Sequence, residues 1–267
     1  MASEDAGSAV IRIEMTGVSK VYGSVVALSD FSVSIRAGEL FSFLGPNGAG
    51  KTTAMRILVG LAQPTTGSSR ICGLPSGTLD AKRRIGFVPD TPVLYEKLTG
   101  GETLELAADL QGVKVRRRET LEELATFLSL DAVLSRLVGT YSRGMRQKLA
   151  IACALVHNPD VLFLDEPMVG LDPEGIVRLR RLMATLCERG KSVLISTHQI
   201  DLAAQLSTRL AIISGGRLVV AGTVDEVKSF AEVRDLETAF LTLTGEAVNT
   251  PPAAFPSWET VDSTHGS

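Results

Sequence analysis

The sequence predicts an α/β fold with a mostly parallel sheet, opened by an antiparallel β segment and interrupted by a helical insertion. Three observations carry this. Short runs that are apolar almost throughout, "ELFSFLG" at 39–45, "VLFLDE" at 161–166 and "SVLIS" at 192–196, alternate with helix-length amphipathic stretches, as buried parallel strands covered by helices do. Two longer segments at the start, "VIRIEMTGVSKVY" and "VVALSDFSVSI", show near-alternating apolar positions instead, the pattern of half-buried strands. Residues 99–140 change to helical periodicity in "GETLELAADLQG" and "RRETLEELATFLSL".

In chain order, the third strand runs into a glycine-rich loop and the helix "KTTAMRILVGLA". A short apolar strand in "IGFV" then meets "PDTP", a loop stiffened by a proline on each side of Asp90-Thr91. The helical subdomain follows over about 99–157, set into a core of 10–98 and 158–230. Its last helix, 142–157, leads to the strand "VLFLDE", a helix at 173–189 and the strand "SVLIS". "RLAIIS" and "GRLVVAG" are joined by Gly215-Gly216, which reads as a hairpin. Helices at "VDEVKSF" and "LETAFLTLTG" close a domain spanning 10–246, and 247–267, rich in Pro, Ser, Thr and small residues, reads as a disordered tail.

Composition narrows the function. A hydrophobic share of 45% over 267 residues supports a full core. A formal charge of −3 gives no reason to expect nucleic acid, and the one basic cluster, "KVRRRE" at 114–119, reads as a solvated helix face. No stretch reaches the roughly 18 apolar residues of a membrane helix, and the acidic start is not a signal peptide. Any membrane role therefore needs a partner. Cys72, Cys153 and Cys187 are scattered among apolar neighbours and read as buried thiols.

"GPNGAGKT" at 45–52 fits the phosphate-binding loop G-x-x-x-x-G-K-[ST], with a strand before it and a helix after. Such a loop turns backbone amides from Asn47 to Thr52 inward, and the helix start adds a favourable field for an anion. Lys51 is placed to reach the β- and γ-phosphates and the Thr52 hydroxyl to ligate Mg²⁺. "VLFLDEP" ends in two carboxylates that strand alternation aims differently. Asp165 suits the metal side, and Glu166 suits orienting and deprotonating an attacking water. His198 caps the strand "SVLIST", where its imidazole could donate to the γ-phosphate.

Taken in order, these motifs resemble the nucleotide-binding subunit of an ATP-binding-cassette (ABC) transporter, over residues 10 to about 245. "YSRGMRQKLAIACAL" resembles the signature motif and its helix, "GLDP" at 170–173 the D-loop, "STHQ" the switch histidine and "IGFVPD" the glutamine loop. The resemblance implies a P-loop NTPase core. It implies ATP contacts at Tyr22, stacked on adenine, at Val26, and along Gly45, Pro46, Asn47, Gly48, Ala49, Gly50, Lys51, Thr52 and Thr53. It further implies that two cassettes pair head to tail. The signature of one, here Ser142, Arg143, Gly144 and Met145, then closes on the ATP of the other, beside a D-loop of Gly170, Leu171 and Asp172. This chain departs from the family's Leu-Ser-Gly-Gly-Gln with Tyr141, Arg143 and Met145.

Asp90 stands where the family usually has glutamine. Two readings follow: a hard-oxygen ligand for Mg²⁺, directly or through water, or a turn residue pointing away. The resemblance implies an ATPase at the cytoplasmic face of the membrane, bound to a separate permease. It is most like single-cassette subunits of ABC-2-type exporters. The alternatives are a soluble ABC ATPase acting on DNA or ribosomes, and a binding module without turnover. If the lysine grips the triphosphate, Lys51→Ala lowers nucleotide affinity about 10- to 100-fold, the worth of one or two charge-assisted hydrogen bonds. Binding of labelled ATP checks this, and an unchanged affinity would refute it.

Overall fold

The computed structural model describes residues 10–245; the tail expected at 247–267 lies outside them. The chain opens with β1 (Ile11–Tyr22) and β2 (Val25–Arg36), an antiparallel hairpin turned at Gly23. Their buried positions, Ile13, Met15 and Val18 on one strand and Leu28, Phe31, Val33 and Ile35 on the other, form one apolar face. Next come β3 (Leu40–Leu44) and α1 (Lys51–Leu58). The helix stops short of the expected 62. Gly60 turns left-handed at φ 74° and lies so close to Gly77 that a Cβ would come within 2.3 Å of its Cα.

β4 (Thr66–Ile71) and β5 (Leu74–Pro75) complete a four-stranded sheet in the order β2-β1-β4-β5. "TGSSRI" gives little hydrophobic signal because only Ser69 and Ile71 are buried. After the single turn α2 (Leu79–Lys82) comes β6 (Ile85–Val88). The helical segment is α3 (Gly100–Leu110), α4 (Arg117–Phe127) and α5 (Arg143–Leu155). Thr99 starts α3 with a reciprocal capping box to Glu102. The basic run is neutralised locally: Arg116 pairs with Glu119 at 2.6 Å, Arg118 with Glu122 at 2.8 Å, and Arg117 with both Glu105 and Asp109.

The remaining elements are β7 (Val161–Asp165), α6 (Pro173–Glu188), β8 (Ser192–Thr197), α7 (Ile200–Leu206), β9 (Arg209–Ser214), β10 (Arg217–Gly222), α8 (Val224–Phe230) and α9 (Leu236–Thr244). Gly215 and Gly216, both at positive φ, make the β9–β10 hairpin. The core sheet runs β10-β9-β3-β8-β7-β6, with β10 antiparallel to β9 and the other pairings parallel.

Both faces of this sheet are covered. Leu162, Leu164, Val193 and Ile195 point into the core shared with α3 to α6, while Phe41, Phe43, Val161, Phe163 and Leu194 point into the core shared with α1 and the antiparallel sheet. Burying each such side chain is worth about 1.5–3 kcal/mol, which is why these strands tolerate no polar face. A third cluster, from Leu210, Ile212, Val227, Leu236 and Phe240, seats the last two helices. The three cysteines are free and only half-buried, less enclosed than their neighbours in sequence suggest, and burial pushes the Cys153 thiol up to about 12.

One half-buried histidine ties the helical segment to the sheet. His157 Nε2 donates to the Ile85 carbonyl at 2.9 Å, and its buried Nδ1 has no partner. Burial holds its pKa below the usual 6.5; the carbonyl opposes this and Lys191 adds to it. The unfolded chain thus takes up a proton that the folded one resists. Stability is full above pH 6.5 and falls as pH drops through the lowered folded value. Denaturant titrations at pH 8 and 5.5 are expected to show a smaller pH-dependent loss in His157→Gln than in the native chain; equal losses would remove this assignment.

Candidate functional site

The phosphate loop crosses from β3 to α1. Gly50 precedes the helix at φ 108°, and the backbone of β2 passes so close that a Cβ there would lie 2.8 Å from the Ala27 carbonyl. No side chain caps α1, so its first-turn amides remain free for an anion. Lys51, only 7% exposed, donates from Nζ to the carbonyls of Gly45 at 2.6 Å and Pro46 at 3.0 Å. Burial lowers its pKa, while Glu166 and Asp165 draw it back up. An ammonium held this way stands ready beside the loop without a full desolvation penalty.

The acidic side of the site comes from the ends of β7 and β8. Asp165 pairs in register with Ser196, whose hydroxyl donates to Asp165 Oδ1. Burial raises the Asp165 pKa; donors on Ser196 and Thr52 oppose that, and the charges of Asp90 and Glu166 add to it. Glu166 is not a strand residue. It sits left-handed at φ 47° just past the end of β7. Strand alternation is therefore not what separates the two carboxylates: the chain turns at Glu166 and swings its side chain away from that of Asp165.

Glu166 is held at both oxygens. His198 Nδ1 contacts Oε1 at 2.8 Å, and Thr197 Oγ1 donates to Oε2 at 3.3 Å. His198 thus meets a carboxylate through Nδ1 in this structure.

A 310 Å³ cavity gathers Asn47 through Thr53, Val26, Asp90, Asp165 and Glu166. Gly45 and Pro46 lie behind it, facing Lys51. Tyr22 is outside the lining, at the hairpin end, 46% exposed, with Lys20 Nζ 4.7 Å from its ring centroid. Asp90 lies at the mouth after β6. Its Oδ1 accepts from the Thr91 amide at 2.7 Å, so it serves the turn while its carboxylate also lines the cavity. Asp90 thus belongs to the turn without pointing away from the cavity.

The signature residues stand apart from this cavity. Ser142 caps α5 by accepting from Met145 N at 3.2 Å, and Arg143, Gly144 and Met145 form the first turn. The Arg143 side chain lies against Gly170. Asp172 caps α6 through Gly175 N at 3.0 Å and pairs with Lys148 of α5 at 3.4 Å. The capping bond leads the causes that hold its pKa below the ordinary range. Signature and D-loop therefore form one packed unit. Lys148, Ser196 and Thr197 are the site residues that motif reading passes over; the two hydroxyls were discoverable as polar residues ending an otherwise apolar strand.

The donor set fits Mg²⁺. Thr52, Asp165 and Asp90 are hard-oxygen groups on one cavity wall, and Lys51 is the cation among the lining residues. Among the described residues no three His, Cys, Asp or Glu side chains group closely enough to hold a metal by themselves. A phosphate would have to complete the coordination.

Comparison with known proteins agrees. A family model described as ABC transporter matches residues 28–169. The chain is 39% identical over 206 residues to an uncharacterised ABC transporter ATP-binding protein of Nostoc sp., covering 76% of this chain and 62% of that one. It is 40% identical over 220 residues to the daunorubicin/doxorubicin resistance ATP-binding protein of Streptomyces peucetius, covering 81% and 67%. With the bacitracin transport ATP-binding protein of Bacillus licheniformis it shares 37% over 219 residues, covering 81% and 71%. Thus it spans roughly two thirds of these relatives' length. A solved ATP-binding subunit of an ABC transporter superposes with a TM-score of 0.83 at 32% identity, covering 87% of this chain and 99% of that one. A dimeric cassette in a post-hydrolysis state with ADP and Pi gives 0.73 at 28% identity, covering 79% and 98%.

Proposed function

The chain belongs to the ABC transporter family of ATP-binding subunits, and from that premise we propose that it hydrolyses ATP to drive export through a separate membrane permease. The observation that carries this is the meeting, in one cavity, of a phosphate loop with a carboxylate clamped at both oxygens. A binding module without turnover would have no use for such a clamp. The drug-resistance and bacitracin relatives point to export. Among the described residues no helix is long and apolar enough to cross a membrane, so the proposed place of action is the membrane surface, on the permease.

The proposed division of labour follows the geometry. Loop amides, Lys51 and the start of α1 hold the triphosphate. Glu166, clamped by His198 and Thr197, orients a water and takes its proton. Thr52, Asp165 and Asp90 would hold a Mg²⁺, which would neutralise phosphate charge when bound. Two copies are proposed to pair with Ser142 to Met145 of each closing on the other's nucleotide, as the dimeric neighbour suggests. A 520 Å³ groove between β6 and α5, lined by Phe87, Pro89, Pro92 and Val93, begins at the Asp90 turn. Val93 is 94% exposed there, and this apolar mouth is the proposed seat of the permease. The soluble alternative gains nothing from α3 and α4, which are 11 residues each and form no long coil.

Two experiments test the reading. Glu166→Gln is expected to bind ATP as the native chain does, to hydrolyse it about 10²- to 10⁴-fold more slowly, and to accumulate as a pair on size exclusion; near-native turnover would move the base elsewhere. Asp90→Gln is expected to reduce the ratio of ATP affinities measured with and without Mg²⁺, because one negative charge leaves the cavity wall. The same ratio in both proteins would leave Asp90 as a turn residue only.

A further inference from the structure

We propose that Thr197 is a positioning residue for Glu166, the fixed half of a clamp whose other half, His198, is free to leave. The inference rests on the assignment of Glu166 as the base. The two halves differ in environment. Thr197 is fully buried at the end of β8, pinned in the sheet opposite Leu44, while the His198 side chain is 50% exposed. A β-branched residue so enclosed has restricted χ1 freedom. Its hydroxyl is oriented as well: Oγ1 accepts from the Gln199 amide at 3.0 Å, which leaves the proton to be given to Glu166 Oε2 at 3.3 Å. The donor is therefore set by backbone geometry and needs no ligand.

Glu166 needs such an anchor. Its backbone is left-handed at φ 47° and lies past the strand, held by two main-chain bonds, one from its amide to the Ser196 carbonyl at 3.0 Å and one from the Val169 amide to its carbonyl at 3.2 Å. Beyond those bonds the side chain has three rotatable torsions and two contacts. If His198 turned toward a phosphate, Oε1 would be released and Thr197 would alone keep Oε2 in place. A base that wandered by an ångström would lose much of its effect. A hydroxyl at 197 thus lets the histidine move without freeing the carboxylate.

The test is a double-mutant cycle on the full chain, reading ATP affinity and turnover separately. Thr197→Val keeps shape and removes the donor. It is expected to cut kcat about tenfold or more while leaving ATP affinity within about twofold, and Thr197→Ser is expected to restore most of the rate. In a Glu166→Gln background the same Thr197→Val change is expected to cost less than about twofold, because the carboxylate it positions is already gone. A merely structural threonine would lower turnover equally in both backgrounds, and that result would overturn the proposal, as would a native rate in Thr197→Val. Should Thr197→Val not fold, Thr197→Ser and Thr197→Ala carry the same cycle. A native chain that binds ATP but never hydrolyses it would instead defeat the assignment of Glu166.

Discussion

Register in the parallel sheet governs the whole site. Leu44 lies opposite Thr197, Asp165 opposite Ser196, and Val88 opposite Leu164. Four strands therefore end at one level, and the residues that follow them, the phosphate loop, His198, Glu166 and the Pro89–Asp90 turn, come together at one edge. None of these neighbours is close in sequence. A slip of one residue in β7 would exchange the faces of Phe163 and Leu164 and misplace the carboxylates. The apolar packing on both faces forbids that slip, so the precision of the chemistry is set by the fit of Phe41, Phe43 and Phe163 on one side and Leu162, Leu164 and Ile195 on the other.

At that edge, charge is arranged to be completed by a ligand. Lys51 is buried against carbonyls, and Asp165 is buried beside two further carboxylates. Each would be costly to ionise alone. Burial pushes both toward the uncharged form, and that push is partly offset for Lys51 by Glu166 and Asp165 and for Asp165 by the donors on Ser196 and Thr52. The remaining excess is negative on the β6–β7 side and positive around the loop amides. A triphosphate with a divalent cation matches that division, whereas a neutral ligand would satisfy neither half.

Most of the fold was legible in the sequence because its signals are strong. Continuous apolar strands, the glycine loop and capped helices each leave a pattern that packing then obeys. What was missed had no such pattern. β4 is mostly exposed and polar, and α7 is seven residues with two buried positions. Helix α1 ends before the expected 62: its apolar spacing continues past Gly60, but the left-handed turn at Gly60 closes it with local backbone bonds. Phosphate loop, acidic pair and histidine could be named from motifs alone. That His198 faces Glu166 could not, since it depends on strand order, and nor could the left-handed turn at Glu166, which departs from the alternation of the strand before it.

These misses share a cause that bears on mechanism. Motifs identify residues whose chemistry is rare, but the groups holding them in place are ordinary: Ser196, Thr197 and Lys148. Their rigidity is unequal. Ser196 and Thr197 are fully buried within a central strand, while His198 and Asp90 are exposed on either side of them. The exposed groups thus sit at the ends of strands whose own residues are buried. Asp90 lines the cavity while its flanking Pro89 and Pro92 line the β6–α5 groove, so one short turn borders both.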